Sequence, residues 1–533
     1  MSRRASVAAL LLLFTAATRE ARGQTVPPAA VFAGGELENY LRYLQTLSVV
    51  PLYPWGARAF SPMELDGLVP ADTLHPWAAR YQVVVARRTG RPFTWLAPAA
   101  NARINTTYPF GYNDGPVWAG RGVTLDVQAG FVARRGVLSL TVAPLAFAAQ
   151  NARFALMPNG LTGELAYADG TQPYVIDRPQ RFGDGTYSRF DPGQSTLRAD
   201  WHAIAAGVTT ANQYWGPATE FPIMLGNNAP GFPHAFLGTA RPVDLWLFRV
   251  HGRLIWGRLS QSALSPATAA AGVRFGTGIV LDVTSRWVPG LELGVTRFSH
   301  RPWPAGGPSL NDLLHILRAG QGGGTVNALE DNQLATAFFR WVLPRSGFEV
   351  YGEYGRDDYN QNLRDFLLEP DHIGGYTIGF RKVSRRGYER LLAVRAEIQN
   401  LQFSHLARGR GWAPFYTHSG VEQGHTMLGQ VLGSEAGVGG AGGVVAVESY
   451  SPTGRWTWSW TRIQRQQRGD PSGAGPPDPR GIDVQHALGV ERLQLQRRYD
   501  LLLQAQAVYE LNRDFRRDAF DLNLIVGIQM GLR

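Results

Sequence analysis

Three segments of this chain are dense in Gly, Asn, Trp, Tyr and Arg rather than patterned like regular structure. The first, Tyr108–Gly122, carries Tyr112, Asn113, Asp114, Trp118 and Arg121. The second joins Tyr214–Pro217 to Leu225–Pro233 and carries Trp215, Asn227 and Asn228. The third, Phe415–His425, carries Tyr416 and His418. Aromatic faces suit the apolar face of a sugar ring, while Asn, Asp and Arg hydrogen-bond hydroxyls and carboxylates. On a carbohydrate-binding reading, Trp118 and Trp215 stack, the Asn residues hold hydroxyls and Arg121 meets acidic groups. The competing reading is turn scaffolding, because Asn-Asp-Gly is a turn signal in its own right.

Catalysis has less support. Asp200 and His202 share a face if their segment is a strand, and Glu220, His234, His418 and His425 lie in the motif regions. No Gly-x-Ser-x-Gly elbow or His-Glu-x-x-His pair occurs. The 11 His residues are an ordinary supply for this length, and a lone His on a strand is more often structural. With no Cys, thiolate metal sites, Cys nucleophiles, disulfides and a lipid anchor on Cys are excluded. The expectation is a binding protein without cofactor or metal, not an enzyme.

The elements that would position these clusters are strands. From Phe520 to Met530, Phe520, Leu522, Leu524, Val526, Ile528 and Met530 fall on one face, opposite Asp521, Asn523, Gly527 and Gln529. Ile525 is the exception. Trp456, Trp458 and Trp460 alternate with Arg455, Thr457, Ser459 and Thr461. Leu392, Val394, Ala396 and Ile398 oppose Arg395, Glu397 and Gln399. Leu501 to Leu511 and Leu125 to Phe131 repeat the pattern. A tilted bilayer crossing needs ~9–11 such residues. Connections alternate short and long: Arg134–Gly136, Pro344–Ser346, Arg385–Gly387, Ser451–Gly454 and Arg497–Tyr499 are short. Gln150–Leu197, Pro302–Glu330, Tyr359–His372, Ser404–Gly440, Gln467–Gly481 and Asn512–Asp518 are long. That parity is the habit of bacterial barrels, with short periplasmic turns and long outer loops. The expected fold is an all-β, antiparallel transmembrane barrel of about 16–18 strands over residues 100–533. Sixteen are counted with 244–261 as one strand. Eighteen result if that stretch splits at Gly252 and Pro233–Ala240 is added.

The N-terminal part reads differently. Ala5–Ala17 is the one long apolar run, flanked by Arg3, Arg4 and Ala21-Arg22-Gly23, which predicts a signal peptide over 1–23. Leu37, Tyr40, Leu41, Leu44 and Leu47 have helical spacing. Ser61-Pro62-Met63-Glu64 reads as a helix start, and Thr73–Arg88 as a third helix. These predict a small periplasmic helical module over 25–95.

Composition fits an exported barrel. Charged residues are 18% and aromatics 11%, and mean hydropathy is −0.17, too polar for a helical membrane protein. Net charge is +10, of which the leader carries +3, leaving +7. A mild positive balance favours anionic partners such as lipopolysaccharide or an acidic polysaccharide, while export and aromatic strands argue against nucleic acid. A monomer is expected.

Asn113-Asp114-Gly115-x-x-Trp118-x-Gly120-Arg121-Gly122 resembles a segment near the start of the barrel in the capsule assembly protein Wzi family. Trp215-Gly216-Pro217 followed by Asn227-Asn228-Ala229, and Tyr416-x-His418 with Gly420 beyond, are similar to two further elements of that family. The resemblance runs from about residue 36 to the C-terminus. It implies an outer-membrane barrel of about eighteen strands with a periplasmic helical bundle, attaching capsular polysaccharide or exopolysaccharide as a lectin. The chain departs from the pattern in ending on Gly531-Leu532-Arg533 without a terminal aromatic, and in its Gly-rich stretch Gly433–Gly443. The alternative function is a diffusion pore or saccharide transporter. The loops Gln150–Leu197 and Ser404–Gly440 decide between them if they fold inward.

Overall fold

The computed structural model describes residues 31–58, 60–65, 68, 74–78, 92–268, 272–317, 331–357, 363–402, 414–467 and 481–530. Within these, eighteen antiparallel strands close into a barrel. In chain order they are β1 (Phe93–Asn105), β2 (Gly122–Arg135), β3 (Leu138–Val142 continuing as Leu145–Ala149) and β4 (Tyr187–Asp191 continuing as Thr196–Trp201). Next come β5 (Ile204–Thr209), β6 (His234–Thr239), β7 (Phe248–Ser260), β8 (Val273–Ser285), β9 (Leu291–Pro302) and β10 (Asn332–Leu343). Then follow β11 (Phe348–Asp357), β12 (Gly374–Arg385), β13 (Leu391–Asn400) and β14 (Ala441–Ser451). The last four are β15 (Gly454–Gln467), β16 (Ile482–Leu495), β17 (Tyr499–Arg513) and β18 (Arg517–Met530). Closure is direct: β1 pairs with β18 through Ala99↔Gln529 to Asn105↔Asn523, so no edge strand is left open.

The alternation follows the sequence. Trp456, Trp458, Trp460, Val526 and Ile528 stand exposed on the outer wall, whereas Thr457, Glu397 and Gln399 are buried inside. Ile525, the break in the last strand's pattern, lines the lumen. The count of eighteen is reached differently from expectation. β7 is continuous through Gly252, because its register with β8 runs unbroken from Phe248↔Ser285 to Ser260↔Val273. β6 is the strand expected over Pro233–Ala240, and the remaining one comes from the β4–β5 hairpin, which turns at Trp201–Ile204 with His202 in the left-handed region, φ 54°. The predicted long connection at 512–518 is a tight turn of three residues between Arg513 and Arg517. The first strand starts at Phe93, ahead of residue 100, with Phe93 and Trp95 as exposed aromatics at the short-turn rim.

The N-terminal helix α1 (Glu36–Thr46) forms where the apolar spacing placed it, and it lies in the barrel mouth at the short-turn rim. Tyr40, Leu41 and Leu44 pack with Val383, Leu391, Tyr450 and Leu493 from strand ends. Its other face is polar yet buried, because the inner wall supplies charges. Arg42 Nε donates to Glu349 at 2.8 Å, and Arg340 donates to Gln45 Oε1 at 2.5 Å. Arg381 donates to Asn39 Oδ1 at 2.8 Å. Downstream, the backbone N–H groups of Trp55 and Gly56 both donate to Glu292 at 2.8 Å, and Trp77 Nε1 donates to Ser451 O at 3.0 Å. The short helix α2 (Pro62–Leu65) has the predicted start: Ser61 N donates to Glu64 Oε2 at 2.7 Å and Glu64 N to Ser61 Oγ at 3.2 Å. The predicted leader 1–23 and most of the third predicted helix lie outside the described residues. No described helix is long and apolar enough to cross a membrane, which says nothing of strands.

Candidate functional site at the long-loop end

The described residues of 31–78 form a plug at the short-turn end of the lumen, and loops entering from the long-loop rim fill the lumen beyond it. Loop residues Ile223, Met224, Leu225, Tyr416, Met427 and Leu432 form one apolar layer with inward Ile255, Leu259 and Phe298. The segment 150–186 joins this layer, since His418 N donates to Val175 O at 3.1 Å and Asp177 N to Gln423 O at 2.9 Å. The 150–197 and 404–440 connections therefore reach inward where they are described. So does 210–233, which the length pattern had not singled out.

The first two motifs meet in space. Asn105 Nδ2 donates to Phe110 O and Ala119 O, both at 2.9 Å, clamping the ends of the β1–β2 loop. Asn113 takes the left-handed conformation, φ 58°, which Asn tolerates because its short amide bonds locally. Its Nδ2 donates to Glu220 O at 3.0 Å, and Gly115 N donates to Asn227 O at 2.6 Å. Asn113 N reaches Asn228 Oδ1 at 3.4 Å, and Asn227 Nδ2 donates to Ala33 O at 2.5 Å. Asp114 accepts from Arg103 at 3.2 Å; burial nevertheless raises its carboxyl above the ordinary range.

Two cavities flank this segment. The inner chamber, about 440 Å³, lies between plug and loops and includes Tyr112, Asn113, Asp114 and Asn227 in its lining. Its guanidinium groups are matched by carboxylates: Arg395 to Glu220 at 2.7 Å, Arg455 to Glu36 at 3.0 Å. The outer cleft, about 180 Å³, lies at the long-loop rim and is lined by Tyr112, Asp114, Trp118, Asn228, Phe154 and Phe515, among others. Tyr112 and Asp114 line both, so residues 110–114 are a partition between chamber and cleft.

The cleft also holds Arg178, Arg465 and Arg513. Arg178 pairs with Asp169 at 2.7 Å, and Arg465 lies 3.8 Å from Glu435. Arg513 lies over the Tyr108 ring at 4.1 Å. Trp118 is half-buried, set edge-on to Phe182 at 5.1 Å. An indole ring and paired guanidinium and carboxylate groups, Asp114, Asp169, Glu435, Asp483 and Asp514 among them, thus converge on one small opening, a combination that suits a sugar bearing hydroxyl groups.

The remaining candidates are elsewhere. Trp215 is 0% exposed, paired to Ala57 and set against Phe298 at 6.4 Å, so its ring is not open for stacking. Its motif docks the plug: Arg42 donates to Pro217 O at 2.7 Å, and Arg58 to Gly216 O at 2.9 Å while lying 3.8 Å over Tyr214. Tyr416 is buried, donates to Ile223 O at 2.6 Å and stacks on His425 at 5.3 Å. His418 Nδ1 accepts from Val421 N at 2.8 Å, organising its own loop. Arg121 lines neither cavity; it donates to Thr106 O at 3.2 Å and to Arg153 O, tying two loops together. Phe154, Arg178, Gln430, Arg465, Arg513 and Phe515 also line the cleft without having been candidates by sequence, and they come from loop and strand ends far apart in the chain. The only signal was that several sit at strand tips of the predicted long-loop rim. Among the described residues, no group of three or more His, Asp or Glu is placed to hold a metal.

No family model matches the chain, and no curated protein sequence matches it. Among solved structures, the fold is similar to that of Wzi of Escherichia coli, described as an outer membrane protein involved in group 1 capsule assembly and a carbohydrate binding β-barrel. The TM-score is 0.63 at 15% identity, over 95% of this chain and 100% of that one. Acinetobacter baumannii OccAB3 aligns with a TM-score of 0.39 at 9% identity, over 81% of this chain and 98% of that one. The β-barrel fold is thus shared with Wzi across nearly the whole chain.

Proposed function

We propose that this chain is an outer-membrane barrel, closed to diffusion by its own plug and loops, that holds a surface polysaccharide at the long-loop rim. The observation that carries this reading is the outer cleft, where Trp118 and Tyr112 stand among paired guanidinium and carboxylate groups beside a lumen filled by the described residues of the N-terminal segment and the inward loops. Similarity to a barrel described as carbohydrate binding supports it. The long-loop rim faces the outside and the short-turn rim with the plug faces the periplasm, following the habit of bacterial barrels. The role is binding rather than catalysis; Arg178, Arg465 and Arg513 already face carboxylates of Asp169, Glu435 and Glu510, so the cleft favours hydrogen bonding to the hydroxyls of a polymer over selection of acidic groups. The test is polymer retention in a deletion strain, with cell-bound and released polysaccharide measured separately. Polymer that is still made but shed into the medium supports attachment; unchanged retention overturns it. The rival is a saccharide pore, which the polar inner chamber favours; steady conductance of the purified barrel in a planar bilayer would establish that reading instead.

A further inference from the structure

One polar sector of the outer wall, on β7 to β10, is covered by the chain itself. Along β9, Glu292 and His300 point inward to the plug and to His425. By parity Arg297, Ser299 and Arg301 point outward. Trp256 of β7, Thr277 of β8 and Gln333 of β10 are outward by the same rule. Lower on β9, Leu293 and Val295 are 51% and 50% exposed, as wall residues should be. Ser299, Thr277 and Gln333 are outward too, yet none is more than 4% exposed.

What covers them is residues 303–317, which fold back down the outside of the barrel. The segment contains a helical turn α3 (Leu310–Leu313), capped by Ser309, whose Oγ accepts from Asp312 N at 3.3 Å. Asp312 also pairs with Arg301. Trp256 Nε1 donates to Leu313 O at 2.8 Å, and Arg297 Nη1 to Ile316 O at 3.1 Å. His315 sits 2.7 Å from Asp331, which accepts from Ser299. Ile316 is turned against the wall, while Leu310, Leu314 and Leu317 are turned away at 69%, 40% and 55% exposure.

We propose that this strap lies within the lipid leaflet surrounding the long-loop rim, with acyl chains packed on Leu310, Leu314 and Leu317. The inference rests on the membrane placement given above. Arg297 lies five residues below the end of β9, roughly 13 Å down the wall for a tilted strand. A guanidinium open to the lipid face is destabilising near mid-bilayer, and Gln333 Oε1 beside it meets only part of its donors. The strap caps it with a backbone carbonyl and puts leucine in its place. The leucine face continues the exposed apolar wall formed below it by Leu281, Leu293, Val295 and Phe339. That continuity selects lipid as the occupant.

The absence of native Cys makes a single introduced thiol a unique reporter. Leu310→Cys, Leu314→Cys and Leu317→Cys would each carry an environment-sensitive fluorophore in phosphatidylcholine vesicles. Leu293→Cys serves as wall reference and Ala305→Cys as loop reference. Quenching by acyl-chain nitroxide lipid at the strap positions should match that at 293, with aqueous iodide quenching only 305. Iodide quenching at 310, 314 and 317 while 293 stays lipid-quenched would overturn the strap proposal alone. Protection from both quenchers would mean protein covers the face and would overturn it equally. If 293 itself is quenched by iodide, the membrane reading fails and the strap proposal with it.

Discussion

Asn113 and Asn227 show how little a residue type says before its neighbours are known. Both were candidates for holding sugar hydroxyls, and both spend amide hydrogens on backbone carbonyls, Asn113 on Glu220 and Asn227 on Ala33. Trp118 differs, since its half-buried ring lines the outer cleft. Trp118→Ala should therefore weaken polysaccharide binding by about 1 kcal/mol, roughly fivefold, as expected for one lost aromatic contact. Titration of purified barrel with the isolated polymer measures it, and heat-modifiable mobility checks that the barrel stays folded. Arg121→Ala should act differently. It removes donors to Thr106 and Arg153 outside the cleft, so protease sensitivity of the 106–122 and 150–186 loops should rise with affinity for polymer little changed. A large loss of affinity with unchanged proteolysis would return Arg121 to the binding site.

The plug is an element whose docking is strongly polar, and that makes it breakable at chosen points. Trp55 is 0% exposed, packs edge-on to Phe60 at 4.7 Å and donates to Glu38 at 2.8 Å. Trp55→Ala should cost about 3–5 kcal/mol of docking, the range for a buried aromatic, and appear as flickering conductance in a planar bilayer. Acid should act oppositely on the two layers that fill the lumen. Burial, aided by Arg274, pushes the loop residue His425 down to about 4 from 6.5. The packed loop therefore disfavours the proton that a released loop accepts. Its stabilisation is complete above pH 6.5 and is lost as pH falls towards 4. Burial raises Glu36 of α1 from 4.5 to about 7, with Glu491 and Glu448 adding to it and Arg455 opposing. The docked helix favours the protonated acid, so its contribution is complete below pH 4.5 and is lost as pH rises through 7. Hydrogen exchange between pH 4 and 8 should show 414–438 tightening and 36–46 loosening with rising pH. Uniform behaviour of both layers would contradict the assignment.

At the scale of the whole molecule, the barrel wall and what fills it are separable. The closed ladder from β1 to β18 makes no use of residues 31–78 for its strand pairing. Deleting 31–78 should leave a folded barrel, and its conductance should rise well above the near-zero level expected of the intact chain. If the truncated barrel stays silent, the loop layer alone closes the lumen.

Much of this architecture was legible in the chain. A strand's side chains alternate with period two, so a lipid-facing wall and a charged lumen write themselves along each segment, as at Trp456–Thr461. Connection lengths gave the two rims, and the apolar spacing of Leu37 to Leu44 gave α1. Three things awaited the tertiary structure. Trp215 and Tyr416 were polar-cluster aromatics in sequence and became buried anchors, because only the folded lumen brings Ala57 and Ile223 against them. The cleft draws Trp118 from the first barrel loop together with Arg465 and Phe515 from near the end of the chain. The outward polar face at Arg297 and Ser299 broke the expected pattern, and its reason lies in a strap that folds back on the wall. Periodicity reports which face a side chain takes; what stands opposite that face is set by barrel closure and by loops returning to it.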